Sequence, residues 1–95
     1  HLAKAKTMPI MKLKNTFITH MSNGEQILVD ASGQFSGLIR NNGTAAFIVD
    51  CLKTETTVEK IVNKLYEEYD ASREVLEQAV NDVVSKLRRA GAIDE

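Results

Sequence analysis

Residues 17–29 read Phe-Ile-Thr-His-Met-Ser-Asn-Gly-Glu-Gln-Ile-Leu-Val, two β-prone runs around a central Asn23-Gly24 pair. Asn-Gly is the preferred centre of a type I′ turn because both central residues must take positive φ. The stretch therefore predicts a hairpin with strands at Phe17–Met21 and Gln26–Val29. With Asn23 and Gly24 as the loop, Ile18 faces Val29 and His20 faces Ile27 on one side of the ribbon, while Thr19 faces Leu28 on the other. A lone hairpin is marginal in water, so a third strand is needed. Phe35–Arg40, after the Ser32-Gly33-Gln34 turn, is the candidate.

Beyond the third strand the period changes. Asn41-Asn42-Gly43-Thr44 ends the strand and offers Asn42 as the cap of a short helix beginning at Ala45, with Ile48, Cys51 and Leu52 on one face. Thr56 with Glu59 reads as a capping box for a second helix, behind which Val58, Ile61, Val62, Leu65 and Tyr69 recur at helical spacing. Ser72 caps a third helix that runs to Arg89, with cations in its last turn and Gly91 as a left-handed stop. On that helix Val75, Leu76, Ala79, Val80, Val83, Val84 and Leu87 span about half the circumference, wider than the roughly 100° stripe a surface helix needs. Either the arc is used entirely inside the fold, or one border, Val80, Val84 and Arg88, lines an open groove. The expected fold is α+β: an N-terminal three-stranded antiparallel sheet followed by a three-helix, winged-helix-like bundle.

The composition fits one small domain. The chain has 95 residues, 43% hydrophobic and 26% charged, close to the globular average. Residues 1–10 read as an arm or remnant and 11–95 as the domain. Twelve Lys and Arg against thirteen Asp and Glu give a net charge of -1, which argues against strong nucleic-acid affinity. The single Cys51 forms no internal disulfide, so a cytoplasmic setting is expected, and one thiol with two His is too few for a zinc cage. The longest apolar run, Ala45–Val49, falls far short of the ~20 residues that span a bilayer. No cofactor is implied.

The segment Phe35-Ser36-Gly37-Leu38-Ile39-Arg40-Asn41-Asn42-Gly43-Thr44-Ala45-Ala46-Phe47-Ile48, the Thr57-Val58-Glu59-Lys60-Ile61 helix start, Tyr66-Glu67-Glu68-Tyr69-Asp70 at its end, and Leu87-Arg88-Arg89-Ala90-Gly91-Ala92-Ile93 occur in an order that resembles the PqqD family. This is the pyrroloquinoline quinone (PQQ) synthesis protein D family, whose fold recurs as a recognition element for leader peptides of ribosomally made, modified peptides. The resemblance covers Lys12 to Asp94. The chain departs from the family's usual pattern at Asn41, where Leu is common, at Gly43, where an acidic residue is common, and near Val49, where an aromatic is common. The resemblance implies a non-catalytic module that binds a precursor's leader peptide by strand addition and presents it to a radical S-adenosylmethionine enzyme, in PQQ or related biosynthesis. Carried over to this sequence, Gly37, Leu38, Ile39 and Arg40 would pair with the peptide. Val80, Val83, Val84, Leu87 and Arg88 would form the groove wall. An exposed strand edge is a physically sound place for such a guest, since main-chain hydrogen bonds give affinity and side-chain pockets give selectivity.

Other classes fit the residues less well. His20 is the only internal imidazole and sits among apolar hairpin neighbours, and Cys51 lies on an apolar helix face where burial raises a thiol's pKa, so catalysis is not expected. A winged-helix DNA-binding domain would place the third helix in the major groove. Yet that helix carries Glu74, Glu77 and Asp82, with Lys86, Arg88 and Arg89 at the wrong end. A dimerisation module, in which the same strand and helix border meet a second copy, is the remaining alternative, so monomer and homodimer both stay open.

Overall fold

The computed structural model describes residues 9–95; residues 1–8, most of the expected arm, lie outside the described residues. In chain order the elements are β1 (Lys12–Leu13), β2 (Phe17–Ser22), β3 (Glu25–Asp30), β4 (Leu38–Asn41), α1 (Gly43–Cys51), α2 (Val58–Glu68), α3 (Arg73–Arg89) and β5 (Ile93–Asp94). The strands β2, β3 and β4 form an antiparallel sheet in that order, and three helices follow it, as the sequence predicts.

The hairpin is the one the Asn-Gly pair dictates. Asn23 has φ 51° and Gly24 φ 79°, and the register sets Ile18 against Val29, Thr19 against Leu28 and His20 against Ile27. The third strand starts at Leu38 rather than Phe35, and Asp30 supplies the reason. Its carboxylate accepts the Ser32 N–H at 3.0 Å, the Ser32 hydroxyl at 2.7 Å and the Phe35 N–H at 2.9 Å. Residues 31–37 are thereby fastened in a loop, and pairing resumes only where Leu38 meets Val29.

Two helix starts differ from expectation by one or two residues. Asn42 is the N-cap of α1 by backbone geometry, but its side chain makes no cap hydrogen bond, and the helix begins at Gly43, whose φ of 49° turns the chain at once. At α2 the cap is Thr57, whose Oγ1 accepts the Lys60 N–H at 3.1 Å. Thr56 is instead drawn into paired backbone hydrogen bonds with Met11, each 2.9 Å, so the box expected with Glu59 gives way to a tertiary bridge. Ser72 caps α3 as expected, accepting the Val75 N–H at 3.2 Å, and Gly91 follows with φ 76°.

A short ribbon of β1 with β5 joins the two ends of the described chain, Leu13 opposite Ile93. It was not foreseen, since two-residue strands paired across the chain leave no periodic trace. The core collects Leu28 and Ile39 from the sheet, Ile48, Val49 and Leu52 from α1 and its end, Ile61, Val62 and Leu65 from α2, and Leu76, Val80, Val84 and Leu87 from α3.

Candidate functional site

β4 is an edge strand. It pairs with β3 on one side, and among the described residues no strand occupies the other, so its outer N–H and C=O groups are available to another chain. Alternation sends Ile39 and Asn41 inward, both 5% exposed, and leaves Leu38 (49% exposed) and Arg40 on the outer face, where Val29 separates Leu38 from Ile18. Gly37 lies just before the strand, and a Cβ there would sit 3.7 Å from the Phe35 ring.

The inner side of this edge is held by a polar relay that sequence reading missed. Asn41 Nδ2 donates to Gln26 Oε1 at 3.2 Å, and Gln26 Nε2 donates to Asp50 Oδ1 at 2.9 Å and to the Ala46 carbonyl at 3.4 Å. Gln26 is only 2% exposed, and every buried polar side-chain atom among the described residues has a partner. The relay ties the far end of β4 to α1, to which a single residue, Asn42, connects it.

The proposed wall on α3 divides by burial. Val80, Val84 and Leu87 are 0–1% exposed and belong to the core, whereas Val83 is half-buried and Arg88 exposed. The border Val80–Val84 is therefore not an open wall. α2 lies against that side of the helix. The Arg73 guanidinium hydrogen-bonds the Asn63 side chain and sits 5.2 Å from the centre of the Tyr66 ring, and Val58, Val62, Arg73 and Glu77 enclose a shallow cavity of about 370 Å³. The opposite flank is less fully covered, although Val83 and Ala90 on it pack against the core. There Val75 is 60% exposed, and Ala79, Val83 and Ala90 are half-buried along one stripe at helical spacing. A wheel gives the width of an apolar arc but not the side on which the neighbouring helix attaches.

At the C-terminal end of α3 a cleft of about 390 Å³ opens between the helix end and the sheet. Lys14, Phe17, Asp30, Phe35, Arg88 and Arg89 line it. The hydroxyl and amide of Ser32 and the amide of Phe35 hold the Asp30 carboxyl down at about 2. Arg88 grips Glu95 with both prongs, Nε to Oε2 at 2.8 Å and Nη2 to Oε1 at 2.9 Å. That pairing raises the arginine's pKa and lowers the glutamate's.

The reactive residue types stand apart from this geometry. His20 is exposed on β2, and burial pushes the half-buried Cys51 thiol up, away from the thiolate a nucleophile requires.

The molecule is an α+β module of a three-stranded antiparallel sheet and three helices, with the outer edge of β4 open among the described residues. The family model described as coenzyme PQQ synthesis protein D (PqqD) matches residues 25–93, and the chain belongs to that family. Two solved structures share the fold. One is described as TbiB1 in complex with the TbiA(beta) leader peptide, with TM-score 0.76, 18% identity, and coverage of 87% of this chain and 94% of that one. The other is a lasso peptide synthetase B1 complexed with the leader peptide, with TM-score 0.75, 21% identity, and coverage of 90% and 98%. No curated protein matches the chain at the sequence level. No helix among the described residues is long and apolar enough to cross a membrane.

Proposed function

We propose that this protein is a non-catalytic, cytoplasmic module that binds the leader of a ribosomally made precursor as an added strand along β4 and presents it to a radical S-adenosylmethionine enzyme. The observation that carries the reading is the unpaired edge of β4, in a family member whose fold matches two proteins solved with leader peptides. Gly37, Leu38, Ile39 and Arg40 supply the pairing backbone. Val83 supplies contact surface on α3, with Val80, Val84 and Leu87 supporting the helix from behind. Docking in a DNA groove has less support, because Glu74, Glu77 and Asp82 all lie exposed on α3.

The test is calorimetry with the leader half of a short precursor encoded beside this protein's gene. Binding at micromolar Kd or tighter is expected, with loss of about tenfold or more for Val83→Asp, which places a charge against the apolar part of the guest. Val84→Asp is the wrong probe, since a carboxylate at a 1% exposed core position unfolds the domain. Full affinity in a folded Val83→Asp protein removes α3 from the site. Co-purification of the radical enzyme with the protein tests the presenting role. Sedimentation that shows a dimer dissociated by peptide would place a second copy on the same edge.

A further inference from the structure

We infer that the cleft at the end of α3 receives an acidic side chain of the bound peptide, located just C-terminal to the segment paired with β4. The inference rests on the strand-addition reading and adds the guest's direction and charge. Antiparallel addition is the more stable pairing and continues the pattern of the sheet, so the guest runs opposite to β4, entering near Asn41 and leaving near Leu38. Leu38 faces Val29, and Asp30 follows Val29 directly into the loop that carries Phe35, whose ring would lie 3.7 Å from a Cβ placed on Gly37. A chain leaving the strand at Leu38 therefore passes Phe35 and reaches the cleft that Phe35 and Asp30 line.

The cleft is basic in effect. Lys14, Arg88 and Arg89 line it against one ionised carboxylate, Asp30, and even with Glu95 paired to Arg88 the cations stay in excess. Cations at a helix C-terminus commonly serve the helix dipole, which accounts for Arg88 and Arg89. It does not account for Lys14, which reaches the same space from the link between β1 and β2, fixed there by its N–H to the Ala92 carbonyl at 2.9 Å. Among the described residues neither Lys14 nor Arg89 is in an ion pair. Arg88 is itself engaged by Glu95 in bidentate geometry, which leaves Lys14 and Arg89 as the cations free to meet the guest's carboxylate.

The experiment is a display selection from a random-peptide library on the intact protein and on the doubly charge-reversed Lys14→Glu/Arg89→Glu protein, with folding of both checked by circular dichroism. Both positions are exposed, so the fold should tolerate the changes. The original protein should enrich peptides with an alternating apolar segment followed by Asp or Glu. The reversed protein should keep the apolar segment and replace the acid by Lys or Arg. In a selected clone, changing that acid to its amide should weaken binding about fivefold at low salt, and less as salt screens the pair. Apolar peptides without an acidic position, or an acidic preference unchanged by the reversal, overturn this inference and leave strand addition standing. Enrichment of no peptide by either protein overturns both.

Discussion

Asn41→Ala removes one donor from beneath the edge strand, and its consequence can be worked from the structure. The lost bond, Asn41 Nδ2 to Gln26 Oε1 at 3.2 Å, leaves an acceptor stranded on a side chain that is 2% exposed. An orphaned buried polar atom costs about 1–3 kcal/mol, so the variant should lose about 2 kcal/mol. That corresponds to about 8–16 °C in Tm for a domain of this size. Gln26→Leu should cost a similar amount, because it orphans the Asn41 amide, while Asp50 keeps Lys53 at 2.9 Å and is largely solvated. The double variant Gln26→Leu/Asn41→Ala removes both ends of the bond and should recover about 1–2 kcal/mol relative to the sum of the single changes. Urea titrations followed by circular dichroism measure all of these terms. If Asn41→Ala costs under about 0.5 kcal/mol, or the two losses simply add, the relay does not hold β4 to α1 and the account of the edge's rigidity fails.

Thr57→Ala should cost about 1 kcal/mol through loss of the bond to the Lys60 N–H, while Thr56→Ser, which keeps the bridging backbone, should cost less; thermal melts rank them. The Asp30 carboxyl, held at about 2 in the fold against 3.8 when unfolded, stabilises the loop above the unfolded value, and this contribution is lost as pH falls through the folded value. Melting temperature should therefore drop between about pH 5 and pH 2, and Asp30→Asn should flatten part of that fall; an unchanged acid limb would refute the role given to Asp30. The Cys51 thiol, raised by burial, should react with a disulfide reagent at pH 8 more slowly in the native protein than in urea.

The parts of the fold set by neighbouring residues were open to sequence reading, and those set by distant contacts were not. Asn23-Gly24 fixes a turn type and with it the whole β2–β3 register, and Ser72 and Gly91 punctuate α3, because each acts on its own backbone. Thr56 reads as a cap until Met11 claims its backbone, and Phe35 reads as strand until Asp30 ties its amide into a loop. In the candidate site, Gly37–Arg40 could be placed on an edge from strand order. The wheel of α3 chose as its open border Val80 and Val84, on the side that α2 covers, and only the wall carried over from the family resemblance included Val83, because a single helix holds no record of where its neighbour packs. The Gln26–Asn41–Asp50 relay was hidden for the same reason, since its members come from three elements.

Amide hydrogen exchange resolved by residue, with and without the leader peptide, tests strand addition most directly. The account predicts new protection at outward-facing amides of Leu38–Asn41, with the outer amides of β2, Phe17–Ser22, exchanging as before. Protection along β2 with β4 unchanged would contradict it.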